Sequence, residues 1–183
     1  MRKRFISVAV VAIVVGVLTV TMVSYAASGG ENEKQNVKAE PLRGFHEAPN
    51  AIFSDGSGSF SAEINDDAQA ITYELKYSGL STPALAAHIH FGNRFQASGV
   101  SAFLCGGGSK PPCPPGTATE ATVTGTITAA DVIGPVNQGI APGQFDKLVR
   151  AIREGVAYAN VHTSTFPSGE IRGQINDQNQ RQQ

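Results

Sequence analysis

Ile71, Tyr73, Leu75 and Tyr77 occupy alternate positions, with Thr72, Glu74 and Lys76 between them. A period of two belongs to an extended strand with one face in a core and the other in solvent; a helix would scatter these four residues round its axis. Just upstream, Phe60, Ala62 and Ile64 alternate with Ser59, Ser61 and Glu63. Asn65-Asp66-Asp67-Ala68 lies between the two runs and supplies turn chemistry, so 59–77 is predicted to be an antiparallel hairpin. A hairpin apolar on one face must bury that face against a second layer.

Further strands are predicted at 42–47, 86–91, 99–104, 119–127, 156–162 and 169–175, most of them bounded by Gly, Pro or Asp. In 119–127 the apolar Ala121, Val123 and Ile127 alternate with Thr122, Thr124 and Thr126, which gives a Thr-rich solvent face. In 169–175, Ile171 and Ile175 oppose Glu170, Arg172 and Gln174. The expected fold is all-β, an antiparallel sandwich of about eight strands. Its predicted core includes Phe60, Ile64, Ile71, Tyr73, Leu75 and Ile171. A composition with no Trp, 20 Gly and 10 Pro suits strands joined by turns better than a helical bundle. One segment departs from the pattern. Phe145, Leu148, Val149 and Ile152 follow helical spacing between Pro142-Gly143 and Gly155, which predicts one short amphipathic helix. Thr128 is placed to cap a single further turn.

Arg2, Lys3 and Arg4 precede an uncharged run from Phe5 to Val23, and Ser24-Tyr25-Ala26 follows. This is the pattern of a secretory signal cleaved after Ala26; the alternative is an uncleaved anchor, since the run is long enough to span a bilayer. Either way the remainder is expected outside the cytoplasm, secreted or tethered. Residues 27–40 are predicted to form a flexible polar spacer, 41–175 the sandwich domain, and 176–183 a disordered tail. The whole chain carries 14 Lys+Arg and 15 Asp+Glu; without residues 1–26 there are 11 and 15. A weakly acidic domain is not a nucleic-acid binder, and membrane contact is expected only through the N-terminal segment if it is retained.

Cys105 and Cys113 enclose the flexible stretch GGGSKPP. In an oxidising compartment the two are expected to pair, the loop bending to bring their Cα atoms to about 5.5 Å.

His88-Ile89-His90 puts two imidazoles on one face of a strand. His162 ends the predicted strand 156–162, on the face shared by Asn160 and Tyr158. If the two strands are neighbours, three imidazoles converge in a set that suits zinc or copper. The alternative is that these histidines are structural, each bonded to the backbone. His46 has no clustered partner in the sequence. No phosphate-binding loop, dinucleotide fingerprint or nucleophile elbow is present, so no complete catalytic set is found and the protein is not expected to be an enzyme. Glu170 and Arg172 share a face and are read as a structural ion pair ordering the last hairpin.

The segments YELKYSGLSTPALAAHIHFG, ASGVSAFL, GTITAADV and LVRAIREGVAYANVHTSTFPSGEIRGQI, in this order, resemble the CHRD domain, named after chordin. LRGFHEAPN resembles its first strand, with Ala48 where Val is common. The resemblance covers about residues 41–175. It implies a small extracytoplasmic β-sandwich in which His88, His90, His162, Glu170 and Arg172 match family positions. In animals such domains occur in a protein that sequesters secreted growth factors; its Cys-rich modules have no counterpart here, so that role is not transferred. The expected function is therefore a non-catalytic binding or structural module acting on an extracellular protein or small ligand. The alternative is a metalloprotein, possibly redox-active, holding zinc or copper at the three histidines.

Overall fold

The computed structural model describes residues 34–39 and 41–177. The expected signal or anchor and residues 178–183 of the expected tail lie outside them. Among the described residues no helix is long and apolar enough to cross a membrane.

Among the described residues, nine strands form one continuous antiparallel sheet: β1 (Gln35–Ala39), β2 (Leu42–Arg43), β3 (Ser57–Asn65), β4 (Ala70–Ser78), β5 (Ala84–Phe91), β6 (Val100–Cys105), β7 (Ala121–Ile127), β8 (Ala157–Thr163) and β9 (Ile171–Asp177). The order is β6-β5-β8-β9-β1-β3-β4-β7, with β2 pairing β3 and β9. The sheet folds over so that its halves enclose one core, giving the sandwich predicted from the sequence. Tyr73 on β4 spans the interior and donates its hydroxyl to the Leu104 carbonyl on β6, at 2.7 Å.

The hairpin register follows the alternation. Phe60 faces Leu75, Ala62 faces Tyr73 and Ile64 faces Ile71 across β3 and β4. All six predicted core residues are buried, and Thr122, Thr124 and Thr126 on β7 are exposed. Helix α1 (Phe145–Arg153) buries Phe145, Leu148, Val149, Ala151 and Ile152. At its end Arg153 bonds Gln35 on β1 and Asp66 in the β3–β4 turn, both at 2.6 Å. Ahead of it, the Thr128 N–H donates to the Asp131 carboxylate at 2.9 Å and closes the single turn Ala129–Asp131. Cys105 and Cys113 form a disulfide with a Cα separation of 5.0 Å.

Three expectations need correction. Residues 35–39 of the expected spacer form β1, which pairs β3 on one side and β9 on the other and buries Val37. One Val among polar residues carries too little periodicity to announce a strand; the two partner strands supply it with hydrogen bonds and an apolar floor. The expected tail likewise begins later, since β9 continues to Asp177 against β1. The expected strand 42–47 is extended only at Leu42–Arg43 and then turns through a short helical stretch at Gly44–His46. The Gly44 carbonyl accepts the N–H groups of both Glu47 and Ile52. A Cβ at residue 44 would run into the Ile52 carbonyl, so only glycine lets the chain double back here.

Candidate metal centre

All seven residues of β8 are buried, so this strand is covered on both faces. Ala157, Ala159 and Val161 enter the apolar core, and Tyr158, Asn160 and His162 point the other way. The second face continues across the neighbouring strands in register. His90 lies opposite Tyr158, and Tyr158 opposite Gln174. His88 lies opposite Asn160, and Asn160 opposite Arg172. His90, Tyr158, Asn160, His162, Arg172 and Gln174 in this layer are buried, and His88 is half-buried.

His88, His90 and His162 converge in this layer. Each offers one ring nitrogen, and the three nitrogens lie within 4.8 Å of one another. The closest pair, His88 Nδ1 and His162 Nε2, is 3.1 Å apart. Two nitrogens on one tetrahedral zinc lie roughly 3.3 Å apart, so this pair stands at coordination spacing and the set as a whole lies within 4.8 Å. Two rings are already oriented for that role. His90 Nδ1 faces the Ser98 carbonyl at 2.9 Å and His162 Nδ1 faces the Pro167 carbonyl at 3.1 Å. A carbonyl only accepts, so each Nδ1 carries the proton and each Nε2 keeps its lone pair, the usual outer-shell arrangement of metal-binding histidine. The His88 Nδ1–H then donates to His162 Nε2, a hydrogen bond that an ion held between the two rings would replace, with His88 in its other tautomer. The Nε2 atoms of His88 and His90 are buried without a partner.

The three imidazoles are neutral at physiological pH. Burial, followed by the neighbouring His162 and His90, pushes His88 down to about 3. Burial likewise takes His90 to about 4, against the opposing pull of the Ser98 hydrogen bond. Burial also lowers His162, opposed by its bond to Pro167. Neutral rings, in a pocket hostile to protons, suit a divalent transition ion.

His46 lies outside this group. Glu170 and Arg172 do not form the expected ion pair. The Glu170 carboxylate is fully buried and accepts from Ser54 Oγ, Ser81 N and Oγ, and Thr163 Oγ1 at 2.6–2.8 Å. Burial opposes its ionisation, but these donors together hold its pKa below the ordinary value. Arg172 stacks its guanidinium 3.4 Å from the Tyr158 ring centre and donates to the carbonyls of Asn93 and Gln96. The pairing fails because Glu170 sits in the turn before β9, where hydroxyls from three other segments are closer than any cation.

Sequence reasoning did not find Glu47. It follows the Gly44–His46 turn, is 8% exposed, and has one carboxylate oxygen without a partner. Burial pushes its pKa up to about 7, outweighing the opposing Arg172 charge and the Asn160 and Ala48 hydrogen bonds. Its approach to Asn160 depends on Gly169, since a Cβ there would lie 2.6–2.8 Å from Asn160 Nδ2, Asn160 Oδ1 and Glu47 Oε1. No period or motif marks this contact between residues more than a hundred positions apart.

Among known families, the model described as the CHRD domain matches residues 39–175. No curated protein and no solved structure matches the chain.

Proposed function

The chain belongs to the CHRD family, and from that premise we propose that it is an exported binding module built round one transition-metal ion, held by His88, His90 and His162. Family membership and the Cys105–Cys113 disulfide both fit a place outside the cytoplasm. The basic head and the small residues Ser24 and Ala26 support cleavage of an export signal. The metal reading is carried by one observation: three neutral imidazole nitrogens within 4.8 Å. Zinc and copper are the ions that a set of three imidazoles suits best. With three protein ligands a fourth position stays open for an exogenous ligand. We assign no reaction to it, and read the protein as a binder.

Because the ligands come from β5 and β8, the site exists only in the folded chain. Metal should therefore stabilise the fold by mass action, by about 2.7 kcal/mol at one hundred times Kd. Calorimetry and thermal melts with zinc and with copper, on wild type and His162→Ala, test this. The expected result is a higher Tm with metal and a loss of affinity in the variant. If neither ion raises Tm, or the variant binds as tightly as wild type, the histidines are structural and the module has no metal.

A further inference from the structure

We infer that Arg172 is a positioning residue for this centre, acting through His90 by way of the 93–98 loop and Tyr158. The inference rests on the metal reading above. Arg172 is 2% exposed, and burying a guanidinium is costly unless its donors are used. Its hydrogen bonds go to two main-chain carbonyls of one loop, Asn93 at 2.7 Å and Gln96 at 2.9 Å, and to no carboxylate. A cation bonded in this way fixes the path of a backbone. Two residues further along, the same loop presents Ser98, whose carbonyl meets His90 Nδ1 at 2.9 Å.

A second route reaches the same ring. The guanidinium lies on one ring with a separation of 3.4 Å, that of Tyr158. Tyr158 in turn stacks on His90, with ring centres 4.7 Å apart and planes within 2°. The Tyr158 hydroxyl accepts the Ser98 N–H at 3.1 Å and lies 3.2 Å from Ser98 Oγ, which ties the two routes together. Arg172 thus holds His90 by its edge through Ser98 and by its plane through Tyr158. His162 takes its own carbonyl partner from Pro167 in a different loop, and the Arg172 hydrogen bonds among the described residues go to the 93–98 loop instead. The geometry makes His90 the ligand whose orientation depends on Arg172.

Removing an outer-shell partner of a ligating histidine typically weakens metal binding about 10- to 100-fold. Arg172→Met keeps length and apolar packing but loses both carbonyl bonds. It is expected to raise the zinc Kd by that factor and to alter the visible spectrum of the cobalt-loaded protein, which reports ligand geometry. A merely structural arginine would lower the Tm of the metal-free protein and leave both readouts where they were. Tyr158→Phe is the milder variant: it keeps the stack and loses only the hydroxyl, and should raise the zinc Kd roughly two- to tenfold. If wild type binds zinc and a folded Arg172→Met binds it equally, with an unchanged cobalt spectrum, the inference is overturned while the metal reading stands. If Arg172→Met does not fold, Arg172→Lys, which keeps the charge but loses the planar fork and the stack on Tyr158, decides by the same two readouts. If wild type binds neither zinc nor copper, the metal reading itself fails and this inference falls with it.

Discussion

Replacing Glu47 with Gln should stabilise the protein at alkaline pH and leave it nearly unchanged at pH 4. Glu47 is 8% exposed, and burial moves its pKa from the ordinary 4.5 up to about 7. The folded state therefore holds a proton that the unfolded chain releases at lower pH. Below 4.5 both states are protonated and the carboxyl costs nothing. Between 4.5 and about 7 only the unfolded state ionises, so wild-type stability falls as pH rises. Above 7 the folded protein must carry a buried carboxylate, and the loss levels off. At about 1.4 kcal/mol per pH unit, the interval from 4.5 to about 7 corresponds to a ceiling of about 3 kcal/mol. Glutamine keeps an oxygen for the Asn160 amide, while its own amide can turn toward the unpartnered Asn160 Oδ1. Urea unfolding of both proteins at pH 4, 5.5, 7 and 8.5, with chelator present, measures the difference. It should grow from near zero to a plateau in favour of the variant. A variant equally or less stable than wild type at pH 8.5 would refute the reasoning: it would mean that the Arg172 charge outweighs burial and that Glu47 folds ionised.

Leu75→Ala should cost about 2–5 kcal/mol in urea unfolding, since Leu75 is fully buried in the core facing Phe60; a cost near zero would contradict that packing. Non-reducing mass spectrometry should find the protein two hydrogens lighter than its dithiol, and reduction of Cys105–Cys113 should cost on the order of 2–3 kcal/mol, a modest figure because the closed loop is short. In the Glu47→Gln background, where the opposing titration is absent, metal-free protein should lose stability as pH falls from about 6.5 toward 4. His90 and His88 ionise at about 4 and about 3 when folded, but at about 6.5 when unfolded, so the unfolded state binds more protons across this window. Stability independent of pH over that range would show that the three rings titrate like exposed imidazoles.

Elements whose amphipathic period is carried within one segment were legible from the chain itself. The 59–77 hairpin, the Thr-rich strand, helix α1 and the six core residues follow from periods of 2 and 3.6, because burial on one face imposes that period whatever the rest of the fold does. The shared face of His88 and His90 follows from the same alternation, and the disulfide from a short flexible loop between two cysteines. What depends on partners far along the chain was not legible. Strand β1 has one buried Val and is a strand because β3 and β9 flank it. Gly44 turns the chain because the Ile52 carbonyl closes on it. Glu170 meets serine and threonine hydroxyls instead of Arg172, and Arg172 meets the 93–98 loop and Tyr158. The neighbourhood of β5 and β8, which brings His162 to the His-Ile-His strand, is a property of strand order, and local periodicity carries no information about strand order. The sequence alone determines which side chains share a face; the tertiary structure decides which faces meet, which ones are dry, and so which imidazoles stay neutral with a lone pair to give.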